Sequence, residues 1–217
     1  FTAWALRSVL ADSGIAVLGG TRSTTDSLQN LAARQGTALA EVSSRPLKDW
    51  IFPVLNTSQN WYAEMLLKQL GRQFGGAGSW KAGLEVERRF LIDSMKVDST
   101  QFALRDGSGL SSSNLVSPKA FATLLTWMRA HPRFESFAAG LPQSGQRGSL
   151  KSRFVGTPLE GKVRAKTGSI SRVNTLAGYI ELPGRTLTFA VEANNHTLGS
   201  RVMIPQIDSL VVQMGKK

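Results

Sequence analysis

Two short polar motifs in this chain carry side chains that could take part in acyl transfer. The segment "NTSQN" contains Ser58 and Asn60 in a Ser-x-Asn arrangement, and "VRAKTGSIS" contains Lys166-Thr167-Gly168 much further along the chain. A serine hydroxyl can pass protons, an asparagine amide can hold a carbonyl group, and a lysine ammonium can stabilise developing negative charge. Each motif alone is short enough to arise by chance, as a helix cap in the first case and as a polar turn in the second.

Composition limits the other chemistries open to the chain. It has 217 residues and 41% hydrophobic content, enough to bury a core as one domain or as one lobe of a larger protein. Cysteine is absent, and only His131 and His196 could supply imidazoles. Disulfides and thiolate metal sites are therefore ruled out, a histidine-based triad or zinc site is disfavoured, and we interpret each histidine as an ordinary surface or core residue. No apolar run is long enough to predict a transmembrane segment.

The formal net charge of +11 favours an anionic partner, such as nucleic acid, anionic lipid or an acidic cell-surface polymer. The basic residues are scattered in ones and twos, as at Arg88-Arg89 and Lys216-Lys217. The aromatic and glycine pattern of an RNA-recognition motif does not accompany them. We therefore predict no nucleic-acid partner.

Apolar spacing predicts a helical region followed by a sheet. Helices are predicted over residues 2–13, 46–55, 61–71, 80–95, 118–131 and 201–214. Strands are predicted at "IAVLGG", "ALAEVSS", "TLAGYIEL" and "TLTFAVEAN", the last two joined by a hairpin turn at Pro183-Gly184. Residues 21–37 are predicted to be a loop excursion, and Lys166-Thr167-Gly168 a polar turn at the head of a strand. The expected result is a helical cluster beside an antiparallel sheet built from both ends of the chain.

Longer stretches around the motifs resemble one protein family. The segments "LNTSQNWYAEMLLKQLG", "DGSGLSSSNLVSP" and "GKVRAKTGSISRVNTLAGYI" occur in order and at the spacing typical of peptidase family S13. These are low-molecular-mass D-alanyl-D-alanine carboxypeptidases and endopeptidases, also called class C penicillin-binding proteins. The resemblance covers roughly residues 1 to 212, and three extended matches are far more specific than any short motif.

This resemblance implies an α/β fold of the α+β type, in which helices flank an antiparallel sheet. The domain would be the transpeptidase-like domain of penicillin-binding proteins and serine β-lactamases, with residues 1–217 as its C-terminal portion and the N-terminal part missing. The family nucleophile lies in a Ser-x-x-Lys motif, and no serine of this chain stands three residues before a lysine. We therefore expect the nucleophile on residues that this sequence does not include.

The resemblance also implies catalytic roles for three residues. In this family a serine attacks the penultimate D-alanine carbonyl, terminal D-alanine leaves, and water frees the acyl-enzyme. Ser58 would shuttle a proton to the leaving amine, and Asn60 would hold the substrate's amide carbonyl and the active-site lysine. Lys166 would supply positive field near the serines.

Three further positions would bind substrate. The hydroxyls of Thr167 and Ser169 would hold the terminal carboxylate, and the strand backbone after Gly168 would pair with the peptide. Gly168 would be small because a side chain there obstructs that approach. The resemblance implies neither a metal nor a cofactor.

The implied protein is a serine D,D-peptidase in the periplasm or elsewhere outside the cytoplasm. Its partners would be peptidoglycan stem peptides, β-lactam antibiotics and the missing N-terminal part of the same protein. One alternative is a non-catalytic peptidoglycan-binding or structural module of the same fold. Another is a serine β-lactamase or esterase, distinguished by how quickly its acyl-enzyme is hydrolysed.

Other polar and aromatic residues near the motifs receive structural interpretations. Asp106, Ser108 and Ser111 lie in a Ser/Gly/Asp-rich loop, where turn formation and capping explain these residue types. This loop is expected to form the floor of the site. Trp61 and Tyr62 are expected to be core and cleft-wall residues.

Overall fold

The computed structural model describes residues 1–37 and 40–216. The chain divides into two compact units, Phe1–Ser44 and Arg45–Lys217. Both motifs lie in the second unit. None of the helices in the described part of the chain is both long enough and apolar enough to cross a membrane.

The first unit contains two helices, α1 (Thr2–Asp12) and α2 (Ser27–Gln35). Helix α1 was predicted, but the strand predicted at residues 15–20 is wrong, because that segment is irregular and its Leu18 is 98% exposed. Of the second predicted strand, residues 38 and 39 lie outside the described residues, and residues 40–44 form no strand. A strand needs a hydrogen-bonded partner, and the described residues of this unit provide none.

Residues 21–37 are not a loop throughout, because α2 lies within them. Asp26 begins this helix: its carboxylate accepts hydrogen bonds from the backbone N–H groups of Leu28 and Gln29. Such a cap satisfies amides that the first helical turn leaves unpaired. The capping function of Asp26 is the feature that the prediction of a loop missed.

The second unit begins with three helices: α3 (Leu47–Asn56), α4 (Asn60–Phe74) and α5 (Trp80–Arg89), the last continued by a π-helical turn over Phe90–Ser94. Helix α4 was predicted to end at Gly71, but it continues for three more residues, to Phe74. A Cβ at Gly71 would lie 2.6 Å from the Gly83 backbone nitrogen, and one at Gly83 would lie 2.2 Å from the Leu67 carbonyl oxygen. These glycines therefore serve the close crossing of α4 and α5.

A small two-stranded ladder follows, formed by β1 (Phe102–Ala103) and β2 (Leu115–Val116). The polar segment between them was predicted to be a loop. Helices α6 (Pro118–Ala130) and α7 (Phe134–Gly140) come next. Helix α6 has Pro118 in its first turn and is capped by the Ser117 hydroxyl, which accepts from the Ala120 amide.

The main sheet is an antiparallel meander of β3 (Val163–Ile170), β4 (Val173–Leu182) and β5 (Arg185–Ala193), in that spatial order. The predicted hairpin at Pro183-Gly184 is confirmed as the turn between β4 and β5. The predicted strand contribution from the N-terminal end of the chain is wrong within the described residues. The C-terminal helix α8 (Ser200–Met214) completes the unit.

Helices cover both faces of this sheet. On one face, α8 packs Ile207 and Val211 against a core that includes Val163, Leu176 and Ile180. On the other face, Tyr179 packs with Leu125 of α6 and with Leu141, which follows α7. Since β4 is the middle strand, its apolar residues on both faces are buried, and β3 is left at the edge.

Candidate active site

Ser58 lies in the short joint between α3 and α4. The end of α3 is closed by two bonds to the Pro53 carbonyl oxygen, one from the Thr57 hydroxyl (2.9 Å) and one from the Gln59 amide (3.1 Å). Ser58 between them has φ of +57°, in the left-handed region that non-glycine residues seldom adopt. This sharp turn exposes the Ser58 side chain.

Lys166 meets Ser58 from the edge strand. Its Nζ donates hydrogen bonds to Ser58 Oγ and to the carbonyl oxygen of Thr167, each at 2.7 Å. The prediction that Lys166-Thr167-Gly168 forms a turn ahead of the strand is wrong, because all three residues lie inside β3 and pair with β4. Val163 and Ala165 before this triplet are buried in the core, and the pairing with β4 continues after it to Ile170, so the strand runs through the triplet.

Burial lowers the pKa of Lys166 from its ordinary value of 10.5. The cause is loss of solvation, which penalises the ammonium form. No carboxylate among the described residues forms a salt bridge with this lysine. Its charge is therefore available to a nearby negative group.

The outer edge of β3 is partly open. Ser144 N donates to Val163 O and Ala165 N donates to Pro142 O, which pairs the start of the strand with the segment Pro142–Ser144. Because backbone groups alternate in direction along a strand, those of Thr167 and Ser169 also point away from β4. Apart from the Lys166 bond to Thr167 O, no described residue pairs with these groups. An extended peptide could therefore add to this edge.

Thr167 contacts a turn that also contacts the Ser58 joint. Its Oγ1 lies 2.8 Å from Ser149 Oγ, in hydrogen-bond contact. The preceding Gly148 has φ of +64°, and a Cβ there would lie 2.9 Å from the Asn56 carbonyl oxygen at the end of α3. This turn therefore connects the edge strand with the helix that leads to Ser58.

Ser169 and Gly168 each face a residue of β4. Asn174 Nδ2 donates to Ser169 Oγ at 2.9 Å, and a Cβ at Gly168 would lie 2.4 Å from Thr175 Oγ1. Thr175 is directly opposite Gly168 in the strand register. The close neighbour of Gly168 is therefore a cross-strand side chain, and substrate approach is not needed to explain the glycine.

Asn60 begins α4 and lies at an open groove of about 690 Å³. The groove is also lined by Trp61, Trp80 and Leu110, all at least half exposed. Among the described residues no hydrogen bond joins Asn60 to Lys166, whereas Ser58 of the same motif accepts one from the lysine. Tyr62, in contrast, is half-buried and packs edge-on against Trp50.

Glu64 fastens the polar loop to α4. Its carboxylate accepts from Trp80 Nε1 (2.8 Å), Gly107 N (3.2 Å) and Ser108 N (2.9 Å). Desolvation acts to raise the pKa of Glu64, but hydrogen bonds from Ser108, Trp80 and Gly107 outweigh it, and the pKa is lowered. The carboxylate is thus held ionised as a fixed acceptor.

Asp106 organises the rest of this loop. Its oxygens accept from Gly109 N (2.7 Å), Ser111 N (2.7 Å) and Asn114 Nδ2 (2.9 Å). These bonds agree with the turn-forming role that was predicted for Asp106. The loop forms part of the groove wall through Asp106, Ser108 and Leu110.

Neither histidine lies at this site. His131 stacks on Trp127, and His196 Nδ1 contacts the Leu198 carbonyl oxygen. Within the part of the chain that the structure describes, no group of three histidine or acidic side chains could hold a metal ion.

Three residues around the site were not singled out from the sequence: Glu64, Ser149 and Asn174. Glu64 lies in the "NWYAEM" segment, and capping arguments do not point to a carboxylate that bonds a distant loop. Ser149 and Asn174 acquire their partners through the turn at Gly148 and the register of β3 with β4. No local sequence signal identifies either contact.

An antiparallel sheet flanked by helices, with a serine and a lysine at its open edge, defines the fold class of penicillin-binding proteins and β-lactamases. The chain is similar over 99% of its length to the crystal structure of penicillin binding protein 4 (dacB) from Haemophilus influenzae, complexed with a β-lactam (TM-score 0.81, 24% identity). It covers 51% of that chain. A β-lactamase from Sphaerobacter thermophilus is a more distant match, with TM-score 0.54, 21% identity, and coverage of 82% of this chain and 66% of that one.

The chain belongs to the D-Ala-D-Ala carboxypeptidase 3 (S13) family, whose model matches residues 3–214. A D-alanyl-D-alanine carboxypeptidase of Actinomadura sp. (strain R39) is 38% identical over 164 residues, which is 73% of this chain and 30% of the relative. The chain spans between 30% and 46% of the length of the first three curated relatives it matches.

Proposed function

We propose that this chain supplies one wall of the active site of a serine D,D-peptidase that acts on peptidoglycan stem peptides ending in D-alanyl-D-alanine. The observation that carries the proposal is the 2.7 Å contact between Ser58 Oγ and Lys166 Nζ beside an open strand edge. The nucleophile belongs to a Ser-x-x-Lys motif in a part of the protein that this sequence does not include. Neither a metal nor a cofactor is part of the proposed mechanism.

The reaction follows from acyl transfer. The nucleophilic serine oxygen forms a bond to the penultimate D-alanine carbonyl carbon, and the bond from that carbon to the terminal D-alanine nitrogen breaks. The serine proton passes through Ser58 to the leaving amine, while Lys166 stabilises negative charge. A water molecule then attacks the ester, which frees the shortened peptide and restores the serine.

Substrate binding uses the edge strand. The backbone groups of Thr167 and Ser169 that point away from β4 would pair with the extended stem peptide. The hydroxyls of the same two residues would bind its terminal carboxylate, and Asn60 would hold an amide carbonyl near the groove. A β-lactam would occupy the same position and acylate the same serine.

We place the intact protein outside the cytoplasm, where peptidoglycan is found. The net charge of +11 suits an acidic wall polymer, because opposite charge raises the rate of encounter. The basic residues are spread along the chain, which supports attraction to a polymer surface as a whole.

The test is D-alanine release by the longer protein that contains this chain, with a peptide ending in D-alanyl-D-alanine. Ser58→Ala and Lys166→Ala should each lower kcat/KM by about two to four orders of magnitude. Lys162→Ala is the matched control, since the side chain of this exposed lysine bonds only the Pro158 carbonyl oxygen among the described residues, and the variant should keep full activity.

Labelling with a fluorescent penicillin separates the alternatives. A stable adduct on the longer protein, with D-alanine release, supports the peptidase. Rapid hydrolysis of the penicillin without D-alanine release would instead identify a β-lactamase. Peptidoglycan binding with neither labelling nor release would identify a non-catalytic module.

A further inference from the structure

We propose that Asn174 is a positioning residue that orients the Ser169 hydroxyl toward the substrate's terminal carboxylate. The inference deepens the proposed function and rests on it, because it adds a residue to the carboxylate-binding part of that site. The observation that carries it is a side-chain bond between the two residues at the open edge of the sheet.

The register of the hairpin brings these residues together. Ser169 and Asn174 are directly opposite in β3 and β4, one pair away from the turn at Ser171-Arg172. Asn174 Nδ2 donates to Ser169 Oγ at 2.9 Å. Asn174 is 1% exposed, whereas Ser169 is exposed, so a buried amide is bonded to a hydroxyl that substrate can reach.

The direction of this bond decides what the hydroxyl can do. An amide nitrogen only donates, so it occupies a lone pair of Ser169 Oγ and leaves the hydroxyl hydrogen free. That hydrogen then points toward the open side of the strand, where a carboxylate accepts a strong hydrogen bond. An apolar residue at position 174 would leave the hydroxyl free to rotate.

Core packing does not account for an asparagine at this position. Asn174 shares its face of the sheet with Leu176 and Ala193, which belong to the apolar core against α8. Its oxygen Oδ1 is buried and accepts no hydrogen bond from any residue that the structure describes. A buried acceptor without a partner is unfavourable, so an apolar residue would suit the core better. The bond to Ser169 is the interaction that the asparagine adds.

The experiment is a double-mutant cycle in the longer protein, with Asn174→Leu, Ser169→Ala and the double variant. The readout is the ratio of kcat/KM for a peptide ending in D-alanyl-D-alanine to that for the same peptide with a C-terminal amide. Ser169→Ala should lower this ratio by about ten- to a hundredfold, as expected for loss of one hydrogen bond to a charged group, and Asn174→Leu, which loses only the orientation of the hydroxyl, by about three- to tenfold. Asn174→Leu should have no further effect in the Ser169→Ala background.

Two controls keep the result interpretable. Asn174→Ala repeats the cycle with a smaller side chain, in case leucine disturbs folding. Thr186→Val on β5 alters a strand residue whose hydroxyl accepts a hydrogen bond from Arg129 Nη2, away from the motifs, and should leave the ratio unchanged.

If Asn174→Leu lowered the ratio equally in the unsubstituted protein and in the Ser169→Ala variant, the inference would be overturned, because the effect would then be one of general packing. An unchanged ratio in the Asn174 variants would overturn it as well. In both cases the unsubstituted protein still releases D-alanine, so the proposed function stands. Failure of the unsubstituted protein to release D-alanine or to be acylated would remove the proposed function and this inference together.

Discussion

At the scale of single residues, the site depends on a serine held in an unfavourable backbone conformation. Left-handed φ costs an L-residue roughly 1–2 kcal/mol because Cβ approaches the backbone, whereas glycine avoids this penalty. The two bonds to the Pro53 carbonyl oxygen impose the turn, and α4 starts immediately after it. A glycine would fit this turn with less strain, so the serine lowers stability but places a hydroxyl against Lys166.

Comparison of two substitutions at position 58 tests whether the backbone there is strained. Ser58→Gly and Ser58→Ala both remove the hydroxyl bonded to Lys166, but only glycine relieves the backbone strain. We expect the glycine variant to be more stable than the alanine variant by about 1 kcal/mol, measured by chemical denaturation. Equal stabilities, or a more stable alanine variant, would show that the turn is unstrained. Both variants should lose activity to the same extent.

A pH profile tests the charge of Lys166. Burial lowers the pKa of this lysine below 10.5, so the ammonium is lost at a lower pH than in an exposed lysine. If the positive charge stabilises the transition state, the acylation rate should fall as pH rises through this lowered pKa. The measurement is the rate of penicillin acylation of the longer protein as a function of pH.

Lys166→Arg is the matched variant for this profile, because a guanidinium stays protonated across the range. Whatever activity it retains should show no loss in that alkaline range. A rate that increases with pH in the unsubstituted protein would contradict the electrostatic role and would make Lys166 a base.

At the scale of elements, two carboxyl groups near the polar loop, Glu64 and Glu87, have opposite properties. Glu64 is kept ionised by three donors, whereas Glu87 of α5 has no such partners among the described residues. Burial, with a smaller contribution from the negative charge of Asp106, raises the pKa of Glu87 to about 7. The loop that Asp106 organises is therefore close to a carboxyl group that titrates near neutrality.

Glu87 should make stability depend on pH. Its folded-state pKa lies above the unfolded value of about 4.5, so the folded protein holds the proton more tightly. The stabilisation is complete below pH 4.5 and is lost as pH rises through 7. Glu87→Gln should therefore become more stable than the unsubstituted protein between pH 5 and pH 8, by up to about 3 kcal/mol.

Thermal unfolding at several pH values measures this difference. Glu85→Gln, at an exposed position of the same helix, is the control and should show no such trend. A constant difference between the Glu87→Gln variant and the unsubstituted protein across pH would mean that Glu87 keeps an ordinary pKa.

The predicted elements differ in how far the sequence determined them. Apolar spacing and capping residues placed the helices from α3 to α6 and the β4–β5 turn, because these signals are local. The strand predicted at residues 15–20 is absent, because four apolar residues form a strand only where another strand is available to pair with them. Lys166-Thr167-Gly168 was assigned to a turn because its polar residues interrupt the apolar pattern. Only the pairing with β4 reveals a continuous strand.

The residues of the candidate site likewise include some that sequence motifs identified and others that only the tertiary structure reveals. Extended motifs linked Ser58 with Lys166 before any geometry was known, and the structure brings them into contact. The neighbours Ser149 and Asn174 depend on tertiary register, which no local pattern encodes. Asn60 lines the groove beside α4, and its role toward a substrate carbonyl stays a prediction.

At the scale of the whole molecule, the proposed roles of Ser58 and Lys166 are to pass a proton and to stabilise charge, and no residue of this chain is assigned as the nucleophile. Formation of an acyl-enzyme would need a further serine. Division of an active site between segments distant in sequence is compatible with the share of its relatives that this chain spans.

Covalent labelling tests this division. We expect a fluorescent penicillin to leave the isolated 217-residue chain unlabelled and to label the longer protein at its Ser-x-x-Lys serine. Denaturing gels and mass spectrometry of the adduct are the measurements. Stoichiometric labelling of the isolated chain at Ser58 or Ser111 would contradict the prediction and would make that serine the nucleophile.

The open edge of β3 also bears on solubility. An unpaired strand edge is a template for pairing with the edge of a second copy, which leads to aggregation. Lys166 lies beside the open part of this edge, and two such edges brought together would set the two Lys166 charges against each other. With a net charge of +11, copies of the chain repel one another at low ionic strength. Lys166 thus helps to protect the open edge from pairing with a second copy, and added salt should weaken that protection.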